Sequence, residues 1–238
     1  MNQFDMNRPM GSTSSIAVDQ AAERSFIMKV YGWMALALSI TGLVATATAQ
    51  NPAYLEPLLS GPGMLILIFG QLGLVIVLSL LIRRLSAVMA TVLFLIYSIT
   101  IGITFSFLFY VYTAESIGQV FFITAGTFAL VSAFGYVTRR DLTSLGSLAF
   151  MGLIGVILGS VVNLFLQSEG LMWALTYIGV LVFVGLIAYD TQRIKRMAHG
   201  IGEDGEVQRK AAIFGALTLY LDFINLFIRL LRIFGQRR

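Results

Sequence analysis

The chain has 238 residues, of which 58% are hydrophobic and only 12% charged, whereas a soluble domain carries about 45–50% apolar and about 25% charged residues. The deficit in charge excludes a water-soluble enzyme, a disordered chain and a protein that grips nucleic acid through a broad basic face, and it leaves an integral membrane protein. Sixteen Lys and Arg against twelve Asp and Glu give a net charge of +4, an excess that anchors one membrane face, and the absence of cysteine removes disulfides, thiolate nucleophiles and cysteine metal sites.

Residues 1–25 are polar and mixed in charge, without the apolar core and cleavage site of a signal peptide. They are expected to form a cytoplasmic polar tail, with residues 26–238 as the transmembrane domain. From there, uncharged stretches run from Val30 to Leu55, Pro57 to Ile82, Leu85 to Ala114, Ser116 to Thr138, Leu142 to Ser168 and Gly170 to Tyr189. Each reaches the roughly 20 residues a helix needs to cross the hydrocarbon, and lengths of this order exclude barrel strands. A seventh stretch, Ala211 to Ile228, is apolar apart from Asp222. The expected fold class is all-α, a polytopic bundle of seven transmembrane helices.

The connections alternate in charge. Arg83 and Arg84 follow span two, Arg139 and Arg140 follow span four, and Arg193, Lys195, Arg196, Arg209 and Lys210 separate spans six and seven, a connection that reads as long. The other short loops hold only Glu56, Glu115 and Glu169. The positive-inside rule puts the arginine loops and the N-terminus in the cytoplasm. Arg229, Arg232, Arg237 and Arg238 then lie outside if span seven crosses fully, which is expected over a re-entrant last helix. Gly155 and Gly159 in span five form a GxxxG pattern, which predicts close helix packing.

Ionisable groups inside a bilayer are costly and mark function by default. Asp222 falls deep in span seven, and Asp190 closes the uncharged part of span six. A border aspartate such as Asp190 could simply be solvated, and a deep one could be a buried structural acid; the functional reading is favoured for both. In span seven, Gly215, Thr218, Asp222, Asn225, Arg229, Arg232 and Gln236 recur at intervals of three and four, so they share one helical stripe that should face other helices or a watery cavity. His199, the only histidine, sits in a polar stretch with nothing to complete a metal site, and Glu203, Asp204 and Glu206 lack the calcium-loop pattern. No phosphate loop, GxSxG or HExxH occurs, and no cofactor is expected.

The strings AYDTQ around Asp190 and LTLYLDFINLFIRLLRIFG around Asp222, with TRRDLTSLG after span four and VYGWM opening span one, resemble the signatures of the Bax inhibitor family, also called the transmembrane Bax inhibitor motif family, in its bacterial branch. The resemblance covers nearly all of the chain after residue 25. It implies six helices around a central seventh and a pH-sensitive calcium leak gated by two aspartates, here Asp190 and Asp222, which are also the two candidate calcium ligands. It further implies an arginine latch at the inner end of span two, Arg83 or Arg84, with Arg83 preferred. Some members carry a glutamate within span two, where this chain has Gln71 and Leu72.

Three functions follow from these residues. In a proton-gated cation leak, two neighbouring carboxylates resist double ionisation and share a proton, and its loss repels the pair or attracts calcium. A membrane-embedded regulator would instead bind a membrane protease, with the N-terminal tail as its handle. An intramembrane aspartyl protease also places aspartates on consecutive spans, the first as Tyr-Asp like Tyr189–Asp190, but Asp222 follows Leu219, Tyr220 and Leu221 rather than Gly-x-Gly, and no Pro-Ala-Leu follows. The leak is preferred and no enzyme activity is expected. Bilayer lipid, calcium and protons are the expected partners, with a membrane protease as the alternative and nucleic acid excluded.

Overall fold

A computed structural model describes residues 11–51, 53, 61–82, 84–200 and 205–238. Seven helices among these residues are long and apolar enough to span a bilayer: α1 Gly11–Ala49, α2 Pro62–Leu81, α3 Ala87–Phe105, α4 Ala114–Val137, α5 Thr143–Leu166, α6 Glu169–Gly200 and α7 Gly205–Phe234. One further helical turn, Leu108–Val111, prolongs α3. Pro62 opens α2, where its missing N–H costs nothing. The Ser86 and Thr113 side chains cap α3 and α4 by accepting from Met89 N and Ser116 N, while Gln167 ends α5 in the left-handed conformation at φ 47°.

The seventh helix is the hub. It packs against α1, α3, α4 and α6, and 67% of its most apolar window is buried, against 6% in α2. Only a helix apolar on nearly every side can occupy that place, and Ile213, Leu217, Leu219, Tyr220, Leu226 and Leu231 are all fully buried. Tyr220 meets the rings of Phe94 and Tyr97 edge-on at 5.7 and 5.9 Å. Its hydroxyl bonds to Thr41 Oγ1 at 2.7 Å, and Thr41 Oγ1 donates to Ser98 O at 2.9 Å, so the one polar atom of the central aromatic is satisfied inside the core.

The C-terminal residues answer the question of crossing. Thr113 N donates to Gln236 O at 3.1 Å and Arg238 N to Val111 O at 3.0 Å, and Gln236 N donates to Ser116 Oγ at 2.8 Å. These bonds tie the end of α7 to the α3–α4 connection, at the opposite end of the bundle from the arginine loops. Span seven therefore traverses the whole bundle, and the re-entrant alternative is excluded.

Three expectations shift. Residues 11–25, expected as tail, are helical, and Glu23 is buried there; residues 1–10 lie outside the described set. The connection between spans six and seven contracts, because α6 continues through Arg193, Lys195, Arg196 and His199 to Gly200, and α7 restarts at Gly205. Glu203 and Asp204 lie outside the described residues, as does Glu56. The GxxxG pattern splits: a Cβ on Gly159 would come within 2.7 Å of Leu175 Cδ2 on α6, whereas one on Gly155 would meet nothing within 4 Å. The close α5–α6 approach instead uses Gly159 together with Gly146, which receives the Tyr189 ring, because α5 presents glycines to α6 at positions outside the GxxxG spacing.

Candidate functional site

Asp190 arrives on α6 and Asp222 on α7, two helices packed side by side. Both are buried, at 7% and 5% exposure, and their carboxyl groups lie within hydrogen-bonding reach of each other. Asp222 Oδ2 is buried without a hydrogen-bond partner. A carboxyl group this deep with an idle oxygen is a costly arrangement, and two of them facing each other cannot both carry full charge without repulsion.

The pair opens onto a cavity of about 1010 Å³. Four residues of the expected stripe on span seven, Thr218, Asp222, Asn225 and Arg229, line it, joined by Gln71, Tyr97, Ser147, Tyr189 and Asp190 from the surrounding helices. The rest of the stripe does other work. Gly215 lies against Val30 and Ile194, Arg232 donates to Thr176 Oγ1 at 3.4 Å, and Gln236 anchors the C-terminus. Gln71 donates to Thr100 O at 2.9 Å and Thr104 Oγ1 at 2.7 Å, so it fastens α2 to α3.

The cation beside Asp190 is one that sequence reasoning missed as a site residue. Arg193 Nη1 is 3.9 Å from Asp190 Oδ1, one helical turn away. Arg193 also lines a second cavity of about 610 Å³ toward the arginine-loop end, with Ser79, Ile82, Met197 and Lys210. It thus stands between the two cavities, with Asp190 beside it. Of the two expected latch residues, Arg84 is exposed and forms no ion pair with Asp190 among the described residues, and Arg83 lies outside them.

The chemistry-bearing turn is held by the α4–α5 connection. Gln192 Oε1 accepts from Leu142 N at 3.0 Å and its Nε2 donates to Arg140 O at 2.8 Å. Thr191 Oγ1 bonds to Ser132 Oγ at 2.9 Å, and Arg196 pairs with Asp141 at 3.1 Å. The strings AYDTQ and TRRDLTSLG therefore touch: the second fixes the pitch of the first, and with it the direction in which Asp190 points. The carboxyl of Asp141 itself lies below the usual aspartate range, chiefly because it accepts from the Thr143 hydroxyl and N–H, with Arg196 adding to the effect.

A second charged cluster sits at the same end. Glu23 on α1 accepts from Tyr136 Oη at 2.8 Å and pairs with His199 Nε2 at 3.1 Å and Lys195 Nζ at 4.0 Å. His199, expected in a loop, is in the last turn of α6. Among the described residues no group of three or more His, Cys, Asp or Glu side chains is arranged to hold a metal ion.

A family model described as inhibitor of apoptosis-promoting Bax1 matches residues 23–238. The inner membrane protein YbhL of Escherichia coli strain K12 is 52% identical over 228 residues, covering 95% of this chain and 97% of that protein. The uncharacterized protein RP147 of Rickettsia prowazekii is 43% identical over 236 residues, covering 99% of each. An uncharacterized protein of Borreliella burgdorferi is 43% identical over 217 residues, covering 91% of this chain and 94% of its own.

Proposed function

The chain belongs to the Bax inhibitor family, and from that premise we propose that it is a pH-sensitive, calcium-permeable leak in the bacterial inner membrane, its arginine loops and N-terminus cytoplasmic. The single observation that supports this reading most is the position of the carboxyl pair: Asp190 and Asp222 lie together in the wall of the larger cavity beside Arg193, which also lines the second cavity. With one proton shared, the pair holds α6 and α7 together, and Arg193 holds Asp190 on the α6 side. Loss of that proton leaves two like charges, which repel across α6 and α7 or recruit a divalent cation.

Two carboxylates offer at most four oxygens, whereas calcium takes six to eight. Thr218 and Asn225, in the same cavity wall, and water complete a shell suited to passage rather than retention. Calcium and protons are therefore substrates of the site and not resident cofactors. By its family resemblance Arg83, at the end of span two, serves as a second latch on Asp190.

Purified protein in liposomes loaded with a calcium dye tests the reading. Calcium entry that changes at least several-fold between pH 6 and pH 8, and disappears without protein, is the expected outcome. Entry indistinguishable from empty liposomes at every pH would remove the leak.

A further inference from the structure

The main cavity has an open side. Its walls on that side are Ile68 and Leu72 of α2 and Phe150, Ile157 and Leu164 of α5, all exposed apolar residues. α2 packs against α3 and α5 against α6, so the two helices face each other across a cleft that opens at mid-span, where hydrocarbon would lie.

At the outer end of this cleft, on the C-terminal side of the bundle, sits a cation without an anion. Arg229 lines the cavity about 10 Å from Asp222 along α7, at 1.5 Å per residue. Its Nη1 donates to Leu175 O at 2.9 Å, and its guanidinium lies 5.4 Å from the Phe183 ring centroid, in the space that Gly179 leaves by having no side chain. Its Nε is buried with no hydrogen-bond partner. No carboxylate pairs with it among the described residues. Arg232, Arg237 and Arg238 add positive charge at the same end, against Glu115 and Glu169.

We infer that this cleft is a binding site for a net-anionic diacyl phospholipid, whose phosphate pairs with Arg229 and whose acyl chain lies between α2 and α5. A guanidinium presents a planar fork of donors suited to phosphate oxygens, and Leu175 O engages only the Nη1 end of it. The level of Arg229, about 7 Å inside the end of α7 at Phe234, suits a headgroup drawn slightly inward. One leaflet of hydrocarbon is about 15 Å deep, so a chain that starts at the level of Arg229 runs past the level of Asp222. Apolar walls below a lone cation match an amphiphile with one anionic end, and a free anion would leave those walls uncovered. The site stands on this geometry and does not depend on the leak.

The test uses the full chain in phosphatidylcholine liposomes with trace phosphatidylglycerol bearing a photoreactive diazirine on one acyl chain, and mass spectrometry to map the adducts. Adducts should concentrate on α2 and α5 around Leu72, Phe150 and Ile157, and fall at least fivefold with excess unlabelled phosphatidylglycerol. Diazirine phosphatidylcholine should label these positions at least fivefold less. Arg229→Gln should bring the two headgroups to the same level, and Arg229→Lys should keep most of the difference. Equal labelling by both headgroups on the wild-type protein, adducts spread evenly around the bundle, or an unchanged preference in Arg229→Gln would each overturn the site. Displacement by inorganic phosphate would do so as well, by reducing it to a free-anion site. The wild-type headgroup comparison needs no variant to fold, and none of these readouts involves calcium.

Discussion

Arg193 and Asp190 stand one turn apart on α6, with Nη1 and Oδ1 3.9 Å apart, and the arginine reaches into both cavities while the aspartate lines only the larger. The arginine side chain is 51% exposed and the aspartate 10%. The pair therefore joins a half-exposed cation to a buried acid.

The first prediction follows from that asymmetry. A partly exposed ion pair contributes about 0–1 kcal/mol to stability, so Arg193→Gln should leave thermal unfolding in detergent nearly unchanged. The same change removes the cation that restrains Asp190, and calcium flux at pH 6 should rise about three- to tenfold. Arg84→Gln, at an exposed position, should leave flux as it is. A flux unaltered in Arg193→Gln, or raised only together with a large loss of stability, would take Arg193 out of the gate.

Glu23 supports a different expectation. It is a buried carboxylate served by Tyr136, His199 and Lys195, and it ties α1 to α4 and α6. Breaking charge-assisted hydrogen bonds of this kind costs about 1.5–3 kcal/mol, so Glu23→Gln should lower the unfolding midpoint by several degrees. His199→Gln should cost less, because that ring is more than half exposed. Equal and small effects from both changes would mean that the cluster is ornamental to folding.

Asp141 separates local stability from gating. Its carboxyl is held below the ordinary value by Thr143 and then by Arg196, so its contribution is present above the unfolded value of about 3.9 and is lost as pH falls through the lower folded value. The stability difference between wild type and Asp141→Asn should therefore stay constant from pH 5 to pH 8 and shrink only below about pH 4. The pH dependence of flux near neutrality should be the same in both proteins. A gap that changes between pH 5 and pH 8, or a shifted flux profile, would contradict this assignment.

Much of the architecture was legible because a bilayer imposes a one-dimensional rule: charge must leave the hydrocarbon, so runs without charge mark the spans. The two aspartates stood out for the same reason, as exceptions to it. The stripe through Thr218, Asp222, Asn225 and Arg229 could be read from the helical repeat, and those four residues do share one cavity wall. What could not be read depends on how far helices run and which neighbours they meet. Arg193 and His199 read as loop charges because α6 carries no apolar signal past Tyr189, although it continues for three more turns. Glu23 read as tail because a lone acid in a polar stretch gives no sign of the three partners that bury it. The clamp of Gln192 on Leu142 and Arg140 joins residues about 50 positions apart, and only the juxtaposition of AYDTQ with TRRDLTSLG in the fold exposes it.

The final prediction concerns the carboxyl pair. Asp190→Asn and Asp222→Asn each remove one ionisable group with little change in volume. If the two carboxyls share a proton, either replacement leaves an acid with no like-charged neighbour, and the pH dependence of flux near neutrality should disappear. The double mutant should then resemble a single one, since coupled groups give non-additive effects. Asp222, with one oxygen buried and unpartnered, gains a donor as asparagine, so Asp222→Asn should fold at least as well as wild type. Asp190 faces Arg193, and Asp190→Asn should instead free that arginine and raise flux at acidic pH toward the level of Arg193→Gln. The comparison is flux against pH for wild type, both single mutants and the double mutant at matched reconstitution. Two independent structural acids would give separate, additive losses of folding yield with the wild-type pH profile retained, and that result would end the shared-proton gate.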